Sequence, residues 1–330
     1  MALITGAVAT QPARAASQDL VVGSVLDIDK LDPHTATNFA TVRALGLVYT
    51  GLVEVGAQNK IWGALATSWR FNSAGTSVTL NLRSGVKFHD GSTFDAKDVK
   101  ASIERILDTK TGAAARANLS TITSIQANGL SVTLNMSVPN APIIAALDGV
   151  NVAMLSSDDI DDKKIGGSNK PNGTGPFKFV SWEPGQSVKL TANGSYYGGA
   201  PKLDSVTIRV IPNEASILSA INAGTVQLGV ITDPLIAKQV SSKTSRLQKV
   251  PALAYYALQF NNKVAPLNDK NVRLAITCAI DRQELIKTSL LGEGSVTGPI
   301  TSPAYKSSVT ARPCPKQDLA KAKEYLAASG

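Results

Sequence analysis

Catalysis or metal binding in a polypeptide draws on histidine, cysteine, clustered carboxylates or an activated hydroxyl, and this chain offers few of them. Its 330 residues include two histidines, His34 and His89, and two cysteines, Cys278 and Cys314. There is no HExxH run and no paired CxxC, so zinc sites of familiar spacing are excluded. No GxSxG elbow presents a serine, and no Walker-type loop cradles a nucleotide phosphate. Gly292-Glu293-Gly294 followed by Gly298 has the wrong spacing for a dinucleotide fingerprint and follows a helical pattern. Asp158, Asp159, Asp161 and Asp162 could gather calcium, but without the glycine and glutamate of a calcium loop they read as a solvated acidic turn. His89 sits in the turn FHDG, where a structural hydrogen bond is the better reading. The residues therefore point away from an enzyme, and neither a cofactor nor a metal is expected.

Bulk composition narrows the field further. The formal charge is +8, yet Lys and Arg are scattered and no basic run is interleaved with aromatics, which argues against a nucleic-acid partner. No window approaches the roughly 18 consecutive apolar residues that span a bilayer. Residues 1–16, MALITGAVATQPARAA, combine a short apolar run with Ala13-Arg14-Ala15 in the A-x-A pattern of a cleavage site, and read as a signal peptide remnant. Export would carry the chain to an oxidising compartment, where Cys278 and Cys314 could pair or stay as buried thiols. Spacing alone leaves both open.

The elements that position the remaining polar residues are legible from periodicity. Between Leu82 and Leu107 the chain reads LRSGVKFHDGSTFDAKDVKASIERIL. Before it, Val78, Leu80 and Leu82 alternate with polar residues, as in a half-buried strand. Asp90-Gly91 supplies a turn. Asp95 is the expected N-cap of a helix, with Asp98 completing a capping box, Phe94 and Val99 at the staple positions, and Val99, Ile103, Ile106 and Leu107 as the apolar stripe. Val21 to Ile28 reads as a first strand, and a helix is expected from Phe39 to Tyr49, ending at Gly51. Asn128-Gly129 marks a hairpin between TITSIQA and LSVTLNM. Residues 158–176 read as loop and as a domain crossing. VTIRVI, a helix from Glu214 to Ala223 and TVQLGVI form a β-α-β unit, with Gly224 as the stop. Val272, Ala275, Ile276, Ala279 and Ile280 make one helical face, Asp281 with Glu284 a second capping box, and Asp318 starts a last helix that ends at Gly330.

Several of these segments resemble one family in order along the chain. They are LDPHTATN, YTGLVEV, LATSW, the stretch 82–107, NGTGPFKFVSWEPG, YYGGAPKLDSVTIRVIPNEAS, YYALQFNN, VRLAITCAIDRQELI and DLAKAKEYLAASG. The chain resembles the extracellular solute-binding proteins of family 5, the peptide and oligopeptide binders of ABC importers. The resemblance implies an α/β, two-lobed periplasmic-binding-protein-like fold of type II, cluster C, here C-terminally truncated because relatives are longer. It implies lobe I from residues 17–45 and 170–265, an accessory subdomain from 46–169, and an incomplete lobe II from 266–330. It also implies a soluble periplasmic monomer that captures a small solute, most plausibly a short peptide, and hands it to a membrane permease, with opine, glycoside or metal chelate as alternative cargo and a secreted hydrolase as the remote one. The wall of the cleft present in this chain would be Thr35, Thr37 and Asn38 after the first strand, Thr174 near the crossing, and Tyr255, Tyr256 and Asn261. Tyrosine and asparagine suit a peptide backbone because they combine donors and acceptors with a flat body.

Overall fold

In the computed structural model the described residues are 18–56, 60–167, 169–241, 243, 245–250, 255–297 and 312–329. The signal remnant 1–16, Gly298 and the terminal Gly330 lie outside them. Among the described residues no helix is long and apolar enough to cross a membrane. The chain divides into two compact units, one of Met1–Val55, Ile61–Asn213 and Ala223–Gly229, the other of Gly56–Lys60, Glu214–Asn222 and Val230–Gly330.

Within the first unit the elements are β1 (Asp19–Ser24), α1 (Phe39–Leu45), β2 (Val53–Val55), β3 (Ile61–Gly63), β4 (Ala66–Phe71), β5 (Ser77–Leu82), α2 (Ala96–Leu107), α3 (Arg116–Leu119), β6 (Ile122–Asn128), β7 (Ser131–Met136), α4 (Ser157–Asp161), β8 (Phe177–Glu183), β9 (Ser187–Ala192) and β10 (Ser205–Val210). The second unit then contributes α5 (Glu214–Asn222), and β11 (Leu228–Gly229) returns to the first. Five strands form a mixed sheet in the order β11-β1-β10-β9-β8, and four form an antiparallel sheet, β4-β5-β7-β6.

The antiparallel sheet forms because its strands alternate. Val78, Leu80 and Leu82 of β5 and Val132, Leu134 and Met136 of β7 point inward and are buried, while Ser77, Thr79, Asn81, Ser131, Thr133 and Asn135 point outward. Against the inner face lies α2, whose Val99, Ile103 and Ile106 are fully buried, each worth about 1.5–3 kcal/mol of transfer free energy. Asp95 caps α2 in a reciprocal box with Asp98, as its sequence requires. A second core gathers Leu45, Val48, Phe177, Val188, Leu190 and Val206.

Several boundaries differ from the periodicity. Helix α1 stops at Leu45 with Gly46 as its cap, before the expected Tyr49. The reason is tertiary: the Leu47 and Val48 carbonyls accept from the Phe177 and Gly175 N–H groups. The hairpin between β6 and β7 turns on Gly129-Leu130, because Asn128 stays paired with Ser131 and Gly129 takes the positive φ of 55°. Strands β10 and β11 are both parallel to β1 in one sheet, with β1 between them. Residues 157–161 form a short helix inside the expected loop.

In the second unit the elements after α5 are α6 (Pro234–Ala237), α7 (Lys270–Ala279), α8 (Arg282–Ser289) and α9 (Leu319–Ala327). Helix α7 buries Val272, Ala275 and Cys278 and leaves Ala279 exposed. Cys278 is held inward by a disulfide to Cys314, which answers the question that spacing left open. Asp281 caps α8 by accepting from the Glu284 N–H, and the Glu284 carboxylate lies 3.6 Å from Lys287 Nζ.

Candidate functional site

The loop LDPHTATN leaves β1 and enters α1, and its backbone is pinned from several directions. Arg105, in the last turn of α2, donates from Nη2 to Asp32 Oδ2 at 2.6 Å and from Nη1 to Asp32 Oδ1 at 3.2 Å. The same Nη1 stands 2.8 Å from His34 Nδ1. An arginine can only donate, so Nδ1 accepts and the proton sits on Nε2, which donates to the Ala153 carbonyl at 2.9 Å. Burial, followed by the Arg105 charge, holds the His34 pKa down to about 4, so the ring is neutral. Asn151 Nδ2 donates to the carbonyls of Pro33 and Ala36.

Held in this frame are three of the expected ligand contacts. Thr35 is half-buried with Oγ1 3.5 Å from the Asp32 carbonyl, and its own carbonyl accepts from Lys30 Nζ. Thr37 is exposed. Asn38 uses both ends of its amide on the protein: Oδ1 accepts from the Ala40 N–H as the cap of α1, and Nδ2 donates to the Asp27 carbonyl. Each bond uses one of two sites on its atom, so one Nδ2 hydrogen and one Oδ1 lone pair remain for a ligand.

Thr174 lies in the strap Asn172-Gly173-Thr174-Gly175 that leads into β8. Gly173 and Gly175 press so closely on the end of α1 that a Cβ on either would collide with the Val48 carbonyl. His89 ties the strap from the other side. Its Nε2 donates to the Gly175 carbonyl at 3.0 Å, and Nδ1 accepts from the Gly173 N–H at 3.4 Å. Burial lowers its pKa too. Asn172 donates to Asp90 and Asp159. Within this satisfied network Thr174 is 1% exposed and its Oγ1 has no hydrogen-bond partner.

The other three expected contacts belong to the second unit. Tyr255 is 50% exposed and Tyr256 is 90% exposed. Asn261 is exposed and accepts from the Lys263 N–H through Oδ1, which closes a local turn. Thr35, Thr37 and Asn38 thus share one loop, Thr174 a second segment, and the two tyrosines and Asn261 a third.

Sequence reasoning missed the Asp32–Arg105–His34 cluster. Asp98, Ser102 and Arg105 fall at i, i+4 and i+7 on α2, a polar stripe beside the apolar one. Asp98 accepts from the Ser157 N–H and hydroxyl, and Ser102 Oγ accepts from the Leu155 N–H. That spacing was the available signal. Both histidines have both ring nitrogens engaged within the protein, so neither is free as a base or metal ligand. Among the described residues no group of three or more His, Cys, Asp or Glu could hold a metal ion.

Comparison with known proteins agrees with this picture of a binding scaffold. The oligopeptide-binding protein AppA of Bacillus subtilis (strain 168) is 29% identical over 329 residues, which cover 94% of this chain and 59% of AppA. The periplasmic binding protein DppA of Helicobacter pylori, solved in complex with the peptide STSA, superposes with a TM-score of 0.80 at 29% identity, over 94% of this chain and 66% of DppA. NikZ of Campylobacter jejuni, solved with Ni(L-His), superposes with a TM-score of 0.83 at 25% identity, over 96% of this chain and 64% of NikZ. The chain spans less than two thirds of the length of the curated relatives it matches first, 59% and 64%. The profile of the bacterial extracellular solute-binding proteins, family 5 (middle), matches residues 60–330, and the chain belongs to that family, with the α/β fold of the periplasmic binding proteins.

Proposed function

We propose that this protein is the substrate-binding component of an ABC importer, working outside the cytoplasmic membrane as a soluble periplasmic monomer. It captures a short peptide and presents it to the membrane permease. The observation that carries this reading is the fold shared over 94% of the chain with a relative solved around a bound peptide. A ligand can drive closure of such a scaffold only through its higher affinity for the closed form. Thr35, Thr37, Asn38, Thr174, Tyr255, Tyr256 and Asn261 are the proposed contacts. The proposed organisation is lobe I from 17–45 and 170–265, an accessory subdomain from 46–169, and part of lobe II from 266–330. In its favour, one core gathers residues between Leu52 and Met154, all within 46–169; the other joins Ile28–Leu45 to Phe177–Val206 but also draws Val48, Tyr49, Val150, Ala153 and Leu155 from inside 46–169. Residues 56–60, 214–222 and 230–265, which this organisation assigns to lobe I and its subdomain, fall instead in the second compact unit.

The test is thermal unfolding of the full chain with peptide mixtures, opines, glycosides and nickel–histidine. A ligand at a hundredfold excess over its Kd adds about 2.7 kcal/mol to the folded state and raises Tm. A rise with peptides alone is expected. A rise with any other class and none with peptides would overturn the peptide reading. Metal chelate is the second reading, favoured by the Ni(L-His) complex of NikZ. A chelate would have to bring its own nitrogen ligands, since His34 and His89 are committed elsewhere.

A further inference from the structure

The outward face of the antiparallel sheet is chemically unlike the rest of this charged protein. To the six outward residues of β5 and β7, the flanking strands add Ser68 and Arg70 of β4, and Ser124, Gln126 and Asn128 of β6. Of these eleven positions one is charged, none is apolar, and the other ten are neutral amides or hydroxyls. The outward face of the five-stranded sheet is an internal control. By register, its strands β1, β8, β9 and β10 hold twelve such positions, and Asp19, Lys178, Glu183, Lys189 and Arg209 put five charges on them. General solvation therefore does not account for the neutrality of the first face.

Its side chains are also fixed. Asn81 Nδ2 donates to Ser68 Oγ at 3.0 Å, and Asn135 Nδ2 donates to Ser124 Oγ at 3.0 Å. The Thr79 and Thr133 hydroxyls lie 2.8 Å apart. Donors and acceptors thus recur about every 4.8 Å across the strands and about 6.8 Å along them. A shallow concavity of about 450 Å³, lined by Arg70, Phe71, Asn72, Ser77, Thr79 and Asn81, opens on this face.

The face fits one class of partner. A protein interface centres on apolar or aromatic anchors, and none points outward here. A nucleic acid or anionic lipid needs clustered cations, and Arg70 stands alone among these positions. A hydroxyl-rich neutral polymer needs ordered amides and hydroxyls, and its docking on this face meets a single ion, Arg70. We infer that the outer face of β4-β5-β7-β6 is a docking surface for a neutral polysaccharide, separate from any solute-binding cleft.

The test is affinity electrophoresis of the full chain, run toward the cathode through native gels cast with dextran, galactomannan or mixed-linkage β-glucan, with heparin gels as the anionic control. Retardation by at least one neutral polysaccharide is expected. It should weaken about tenfold in Asn81→Ala/Asn135→Ala. It should vanish in Thr79→Glu, where a carboxylate would face the polymer. Both variants should still unfold cooperatively, with Tm lowered by no more than about 5 °C for the inter-strand bonds they lose, and excess peptide should leave retardation unchanged. The inference is overturned by no retardation in any neutral gel, by retardation only with heparin, by equal retardation of folded variants, or by displacement with peptide. Failure here leaves peptide binding untouched, and the reverse holds, because the two assays share no ligand.

Discussion

At the scale of single residues, Thr174 separates a structural role from a binding one. Its neighbours in the strap are bonded on every side, yet its hydroxyl is buried and unpaired. An orphaned buried hydroxyl costs about 1–3 kcal/mol, and that cost is removed when the group becomes a methyl. Thr174→Val is therefore expected to raise unfolding stability by about 1 kcal/mol in urea titration. If the hydroxyl is kept for ligand, the same variant weakens peptide binding several-fold. Lost stability would show that the hydroxyl already has a partner. The family resemblance made the hydroxyl a candidate by its place near the crossing, but its burial, in a strap whose glycines close on Val48, is a tertiary property that could not be read there. The structural reading of His89 was legible from its place in the FHDG turn, but its partners, the Gly175 carbonyl and Gly173 N–H, lie 86 and 84 residues away and were not. Asn38 was half legible: its residue type marks a helix cap as much as a peptide contact, and the cap is what it forms here.

Helix α2 shows how much an element reveals of its surroundings. Its apolar stripe and capping box were plain, because periodicity and local hydrogen bonding are encoded within a few residues. The polar stripe of Asp98, Ser102 and Arg105 was not recognised, because its partners lie 53 to 73 residues away. The C-terminal end of α1 was misjudged for a similar reason, since tertiary pairing decided it, and the β6-β7 turn shifted by one residue because Asn128 stays in the ladder. Through Arg105 this helix fixes His34 as a neutral ring, and a pH dependence follows. The folded pKa of His34 is lowered to about 4 from its ordinary 6.5, so the unfolded chain takes up the proton first as pH falls. The contribution is complete above pH 6.5 and is lost progressively toward pH 4, a change of about 3 kcal/mol. Asp98 works in the opposite sense, because burial raises its pKa. The comparison is therefore between wild type and His34→Gln in urea titrations from pH 7 to 4. The wild type should lose more stability across that range, and parallel curves would show that His34 is not held neutral.

Across the whole molecule the two compact units are stabilised by different means. The first has two extended apolar cores, rich in Leu, Ile, Val and Phe. Among the described residues of the second, one core cluster is Cys278, Cys314 and Ala322, with Tyr325 packed against it. Helices α7 and α9 are amphipathic, but a cluster this small supplies few of the contacts that hold the larger cores. The disulfide closes a sequence separation of 36 residues. Chain-entropy reasoning gives such a link about 3–4 kcal/mol, with the measured range running lower. Reduction is therefore expected to act on one unit. In hydrogen exchange read by mass spectrometry, a reductant should speed exchange in α7 and α9 by tenfold or more and leave α2, β5 and β7 unchanged. Cys278→Ala/Cys314→Ala should reproduce the pattern without reductant. Equal acceleration in both units would mean that they unfold as one cooperative body. No acceleration in α7 and α9 would mean that apolar packing, and not the crosslink, holds the second unit.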